Sequence, residues 1–221
     1  EKCGRWQLAV ALLASMDALR APPDVVSCCA AISACEKCGQ WQFALALLCS
    51  MPALRLARDA VGCNAAISAC EGGGRWQSAL ALLGSMPGLR VPPDIVGCNA
   101  AISSCEKQGH WRAALVLFGS TSGVGIAADF ISCNAAISAC QKGFQWRHSL
   151  ALFGSMPRRG LSPTINSCSA AISACERHWQ WRAALELLVS MPNMRVAPDV
   201  IGCNAAIGTC EKGGQWRHAL S

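Results

Sequence analysis

The sequence predicts an all-α fold, a right-handed superhelical α-solenoid of stacked helix-turn-helix repeats. Three observations predict it. Tryptophan returns every 35 residues, at Trp6, Trp41, Trp76, Trp111, Trp146, Trp181 and Trp216. Isoleucine keeps the same step at Ile32, Ile67, Ile102, Ile137, Ile172 and Ile207. Each period holds two apolar stretches with helical spacing. A fixed period of this length marks stacked supersecondary units, not one globular core.

The period divides the chain into five complete units: Val25–Asp59, Ala60–Asp94, Ile95–Asp129, Phe130–Thr164 and Ile165–Asp199. A partial unit, 1–24, precedes them, and another, 200–221, follows. Three or more such units suffice for a stable stack. The partial units and the initial Glu1 are the expected marks of a fragment.

One unit, Ile95–Asp129, serves for all. Asp94 precedes it as a natural N-cap. Cys98, Ala101, Ile102 and Cys105 then share one face of a first helix. Gly109 ends that helix in the left-handed conformation. Trp111, Ala114, Leu115 and Phe118 form the apolar face of a second helix. In most units Pro follows Met, at Pro52, Pro87, Pro157 and Pro192, and stops the second helix. Phe144 and Trp179 stand where the other units place the helix-ending glycine, so those two turns are expected to differ. One hairpin cannot bury both apolar faces, and stacking does so. The small-residue first helices are expected to line the inner surface. The Trp, Leu and Phe of the second helices are expected to fill the space between layers.

Composition narrows the function. The 221 residues are 52% hydrophobic and 14% charged, with a net charge of +6. That mild basicity suits a polyanionic partner without requiring one. No run approaches 18 apolar residues, so no membrane span is expected. Of sixteen cysteines, twelve fall in two columns. One column is Cys28, Cys63, Cys98, Cys133, Cys168 and Cys203; the other is Cys35, Cys70, Cys105, Cys140, Cys175 and Cys210. Seven residues along a helix is roughly 10 Å of rise, too long for a disulfide or a shared zinc. Buried thiols in a reducing compartment are expected, with no metal and no cofactor. The histidines His110, His148, His178 and His218 lie near the starts of different second helices. None converges with a Cys and an Asp into a nucleophilic site, and there is no phosphate-binding glycine loop. Cys35 and Cys38 have C-x-x-C form without the context of a redox motif. No enzyme is expected from this stretch.

Three polar columns remain once the core is subtracted. Asn64, Asn99, Asn134 and Asn204 form the first, with Cys29 and Ser169 as exceptions. Asp24, Asp59, Asp94, Asp129 and Asp199 form the second, with Thr164 as exception. Lys2, Lys37, Lys107, Lys142, Arg177 and Lys212 form the third, with Gly72 as exception. Each has a structural reading: an amide ladder for the Asn residues, N-caps for the Asp residues, and dipole-complementing charges for the basic ones. Together they also have a functional reading. An amide and a carboxylate can meet a base edge, and a cation can neutralise a phosphate, once per layer.

The run Asp-Ile-Val-Gly-Cys-Asn-Ala-Ala-Ile-Ser-Ser-Cys-Glu-Lys, with Met-Pro and Pro-Asp closing the better copies, resembles the pentatricopeptide repeat. The resemblance covers essentially the whole chain, in the pure 35-residue class. It implies sequence-specific binding of single-stranded RNA, one base per repeat. It also implies action in a mitochondrion or chloroplast, in RNA processing, stability, splicing, editing or translation. In that family one base is read by the Asn-column residue together with the last residue of the unit. Carried over, the pairs are Cys29 with Asp59, Asn64 with Asp94, Asn99 with Asp129, Asn134 with Thr164, and Ser169 with Asp199. Asn204 belongs to the same column. The residues flanking the bases are Val26, Val61, Val96, Ile131 and Ile201, with Asn166 departing from the branched pattern. Phosphate contacts fall to Lys37, Lys107, Lys142, Arg177 and Lys212. The family's pattern reads the array as x-U-U-pyrimidine-G, with Cys29 unassigned. The family usually places Tyr or Phe before the Asn column, whereas this chain has Cys. Trp179, off the beat, is either a staple on Trp181 or a stacking surface. The rival is a tetratricopeptide-like protein-binding scaffold, and the charge of the groove rim discriminates the two. Protein partners would act through regions outside this stretch.

Overall fold

The computed structural model describes residues 5–16, 20–123 and 125–214, apart from the side chains of Arg5 and Ser122. Lys2, Trp216 and His218 lie outside the described residues. The helices are α1 (Arg5–Ser15), α2 (Val25–Lys37), α3 (Trp41–Ser50), α4 (Ala60–Gly72), α5 (Trp76–Ser85) and α6 (Ile95–Lys107). They continue as α7 (Trp111–Gly123), α8 (Phe130–Lys142), α9 (Trp146–Ser155), α10 (Ile165–Glu176), α11 (Trp181–Ser190) and α12 (Val200–Lys212). There is no strand among the described residues. The chain forms two compact units, Glu1–Gln108 and Gly109–Ser221.

Within the first unit α2 packs on α4 and α4 on α6, while α3 wedges between α2 and α4, and α5 between α4 and α6. The second unit repeats the scheme, with α8 on α10 and α10 on α12, bridged by α9 and α11. First helices therefore form a closely packed row within each unit. Their contact faces explain why. Ala31, Ala66, Ala101, Ala136 and Ala171 are almost completely buried beside Ile32, Ile67, Ile102, Ile137 and Ile172. Small side chains let the backbones approach, and each isoleucine fills the gap that remains. Ile207 is exposed, because no further first helix covers α12 among the described residues.

The second helices follow expectation in part, with Leu48, Leu83, Phe118 and Phe153 buried. Small residues on the second helices, Ala44, Ala79, Ala114, Ser149 and Ala184, are fully buried. The tryptophans are only half-buried. Their indoles lie along the next layer's helix ends, where glycine leaves room. A Cβ added to Gly73 would stand 2.2 Å from Cδ1 of Trp41, and one on Gly143 2.1 Å from Cδ1 of Trp111. Arg75 extends the first of these stacks, 4.5 Å from the centre of the Trp41 ring.

Proline ends the second helices as expected, but through a short 3-10 turn at Met51–Leu54, Pro87–Leu89, Pro157–Arg159 and Pro192–Met194. Where the unit has Thr121 and Ser122 in place of Met-Pro, α7 simply runs on to Gly123. A second left-handed residue then closes each turn. Arg20, Arg55, Arg90 and Arg195 take φ of 58–60°, and Gly125 and Gly160 hold the equivalent places. After α8 the turn is not altered by Phe144, against expectation, whereas with Trp179 α10 ends one residue earlier than the other first helices from α2 onward, at Glu176. Both adopt the glycine conformation, at φ 58° and 54°. The closing hydrogen bonds are those of the glycine turns: Gln145 N–H to Cys140 O at 2.8 Å, against Arg75 N–H to Cys70 O at 2.8 Å. Two aromatic residues thus accept left-handed strain, of order 1 kcal/mol each, while the turn keeps its closing hydrogen bond, at 3.2 Å from Gln180 N–H to Cys175 O after α10.

Replacing Gly143 with Ala should force the Trp111 indole to move and destabilise the array by about 1–3 kcal/mol. Gln108→Ala, in the same column but already bearing a Cβ, should cost less. Urea unfolding of the two variants checks this.

Candidate nucleic-acid interface

The Asn and Asp columns meet where first helices begin. A helix start leaves backbone N–H groups without partners, and here the last residue of the preceding unit supplies one. The carboxylate of Asp59 accepts from Gly62 N–H at 2.8 Å, Asp94 from Gly97 at 2.9 Å, Asp129 from Ser132 at 2.8 Å and Asp199 from Gly202 at 2.7 Å. Thr164 caps α10 with its hydroxyl, 3.2 Å from Ser167 N–H. Asp24 caps α2, and the Ser27 backbone N–H, then its hydroxyl, holds that carboxyl below the usual range.

The same side chains hold the Asn column. Asn64 Nδ2 lies 2.9 and 2.8 Å from the two carboxylate oxygens of Asp94. Ser169 Oγ donates to Asp199 Oδ1 at 2.8 Å, and Asn134 Nδ2 donates to Thr164 Oγ1 at 3.2 Å. Even Cys29 follows the scheme, its Sγ 3.3 Å from Asp59 Oδ1. Four of the five residue pairs singled out in the sequence are therefore in direct contact across successive layers. Of the fifth, Asn99 lies half-buried on α6 and Asp129 caps α8, on different compact units. The amide of Asn64 goes to a cap, not to another Asn, which corrects the ladder reading. Asn204 is exposed on α12.

Beside each pair stands an exposed side chain that the core does not use. Val26 is 74% exposed, Val61 62%, Val96 56%, Ile131 45% and Ile201 65%. Asn166 is exposed in the same register.

The repeat profiles now decide the family. The pentatricopeptide repeat domain profile matches residues 151–212, and the single-repeat profile matches residues 26–56 and 131–161. The chain is a member of the pentatricopeptide repeat family. Among solved structures it is similar to the pentatricopeptide repeat protein PPR10 from maize, at TM-score 0.70 and 24% identity over 92% of this chain and 29% of that one. It is also similar to the PPR domain of Arabidopsis thaliana protein-only RNase P 1 in complex with tRNA, at TM-score 0.60 and 14% identity over 70% of this chain and 83% of that one. PPR10 in complex with an 18-nt psaJ RNA element aligns at TM-score 0.53 and 17% identity, over 98% of this chain and 37% of that one. These likenesses are of fold. The chain spans about 29% of the length of maize PPR10. A comparison with curated proteins finds no match.

The basic column of this pentatricopeptide repeat chain is less simple than its sequence suggests. Lys37, Lys107, Lys142, Arg177 and Lys212 are all exposed at first-helix ends. However, Lys107 Nζ pairs with Glu71 at 2.9 Å, and Lys212 Nζ with Glu176 at 2.7 Å. Arg177 stacks 3.9 Å from the centre of the Phe144 ring. The rim is therefore mixed in charge, not uniformly basic. The signal was present in the sequence as an acidic column one residue earlier, Glu36, Glu71, Glu106, Glu176 and Glu211. Sequence reading also passed over the third residue of each first helix, Gly or Ser, against which the Asn column packs. No helix is long and apolar enough to cross a membrane, and no metal-binding group of His, Cys, Asp or Glu occurs, among the described residues.

The cysteine columns are free thiols, buried except for Cys203 on α12. Burial pushes Cys70, Cys105, Cys140 and Cys175 up to about 11. Cys29 is pushed up to about 12, by burial first and then by the hydrogen bond and charge of Asp59. Thiolate is the reactive form, so iodoacetamide at pH 8 should modify exposed Cys49 and leave Cys29 and the buried members of the two columns intact until denaturant is added. Peptide mass spectrometry reads the outcome.

Proposed function

We propose that the array binds single-stranded RNA with one base per repeat, and that it serves RNA processing, stability, splicing, editing or translation in a mitochondrion or chloroplast. The observation that carries this reading is the exposed branched column Val26, Val61, Val96, Ile131 and Ile201, set beside polar pairs that vary from layer to layer. A soluble surface that repeats an apolar side chain at every layer implies a partner with a matching repeat. Stacked bases provide flat faces for such side chains, and the neighbouring polar pair can meet a base edge. The family pattern then assigns uracil to Asn64 with Asp94 and to Asn99 with Asp129. It assigns a pyrimidine to Asn134 with Thr164, and guanine to Ser169 with Asp199.

Phosphate contacts are the weaker part of the affinity. Lys107 and Lys212 must first release Glu71 and Glu176. Lys37, Lys142 and Arg177 complete the proposed phosphate-contacting column. The mixed rim favours one second reading, a scaffold for a peptide, and the same titration addresses it.

The chain should bind an RNA carrying x-U-U-pyrimidine-G more tightly than its complement at moderate salt. Asn64→Ala should weaken matched binding by about 1–3 kcal/mol. Fluorescence anisotropy checks both. Equal affinity for the two RNAs would remove the base-reading proposal, and no RNA binding at all would favour the peptide scaffold.

A further inference from the structure

The residues paired across layers do not project equally, and the difference follows the third residue of the helix they face. Asn64 is 9% exposed and faces Gly97. Its Oδ1 is buried without a hydrogen-bond partner, and a Cβ on Gly97 would stand 2.6 Å from it. The carboxamide has therefore folded into the space that glycine leaves, with its Nδ2 on Asp94. Cys29 and Ser169 are recessed in the same way, at 7% and 6% exposure. A Cβ on Gly62 would stand 3.1 Å from Cys29 Sγ, and one on Gly202 3.4 Å from Ser169 Oγ. Asn134 faces the one serine of this set. Ser167 fills the space, donates to Thr164 O at 2.8 Å and accepts from Thr164 N–H at 2.7 Å. Asn134 is only half-buried.

We propose that the third residue of a first helix packed on the preceding one within its unit, here Gly62, Gly97, Ser167 and Gly202, is a positioning residue that sets how far the preceding repeat's reading side chain projects toward a base. Glycine recesses the side chain against the cap residue. Serine closes the recess, completes the helix cap and leaves the side chain at the surface. A recessed Asn64 presents no acceptor to solvent, since its Oδ1 is covered. Its carboxamide must rotate out before it can meet a base edge with both donor and acceptor. Stations facing glycine are then weak readers and those facing serine strong ones. The proposal rests on the base-reading function above.

Gly97→Ser and Ser167→Gly exchange residues that the array already uses at this position, so both variants keep a helix start the fold accepts. Gly97→Ala supplies the Cβ without the hydroxyl and separates filling from capping. Two readouts apply. In the RNA-free protein, exchange of the Asn64 side-chain amide protons with water, followed by NMR, should speed up in Gly97→Ser and Gly97→Ala. That of Asn134 should slow in Ser167→Gly. With RNA, discrimination at the base facing Asn64 should rise roughly five-fold in Gly97→Ser, and that facing Asn134 should fall by a similar factor in Ser167→Gly, the size of one modest hydrogen bond regained or lost. Wild-type protein without base discrimination at any station would remove the underlying function. Wild-type discrimination with unmoved amide exchange and unmoved station preferences in the variants would overturn the positioning role alone.

Discussion

The structure depends on one side chain doing two things at the joints of Asp59, Asp94, Thr164 and Asp199. The last residue of a repeat caps the next first helix, and the same side chain accepts a hydrogen bond from the Asn-column residue of its own repeat. A helix start needs an acceptor in a fixed place. Once Asp94 is fixed by Gly97 N–H, Asn64 is fixed by Asp94. Layer spacing, helix register and the direction of the variable side chain are thus set together. Any residue that can accept at this place keeps the joint, which is why Thr164 stands in for Asp at α10.

Around that joint the packing follows from size. Fully buried alanines bring the first helices together, and the buried methionines Met51, Met86, Met156 and Met191 close the second helices over them. Tryptophan, the most conspicuous mark in the sequence, sits at the margin and leans on Gly73 and Gly143. The side chains available to a ligand are what this arrangement leaves over, the branched column and the polar pairs.

Much of this was legible in the sequence because it repeats. Helix starts, caps and buried thiols could be read from a single unit, since each depends on neighbours within a few residues. Contacts across layers could not. Lys107 looks free in its own repeat and is neutralised only by Glu71 from the layer before. Phe144 and Trp179 break the glycine rule yet keep the turn, because the hydrogen bonds that close it outweigh left-handed strain. The left-handed arginines, Arg55, Arg90 and Arg195, recur every 35 or 105 residues, but nothing in an arginine advertises a positive φ. The recess under Asn64 depends on Gly97, thirty-three residues away in sequence.

The most direct measurement of the joint is a double-mutant cycle on Asn64 and Asp94, with Asn64→Ala, Asp94→Ala and the double variant unfolded in urea. Loss of the Asp94 cap alone should cost about 1 kcal/mol. If the carboxylate links the layers, the two changes should be coupled by about 1 kcal/mol, the worth of a charge-assisted hydrogen bond between contacting residues. Strict additivity, within about 0.3 kcal/mol as for distant sites, would contradict the account.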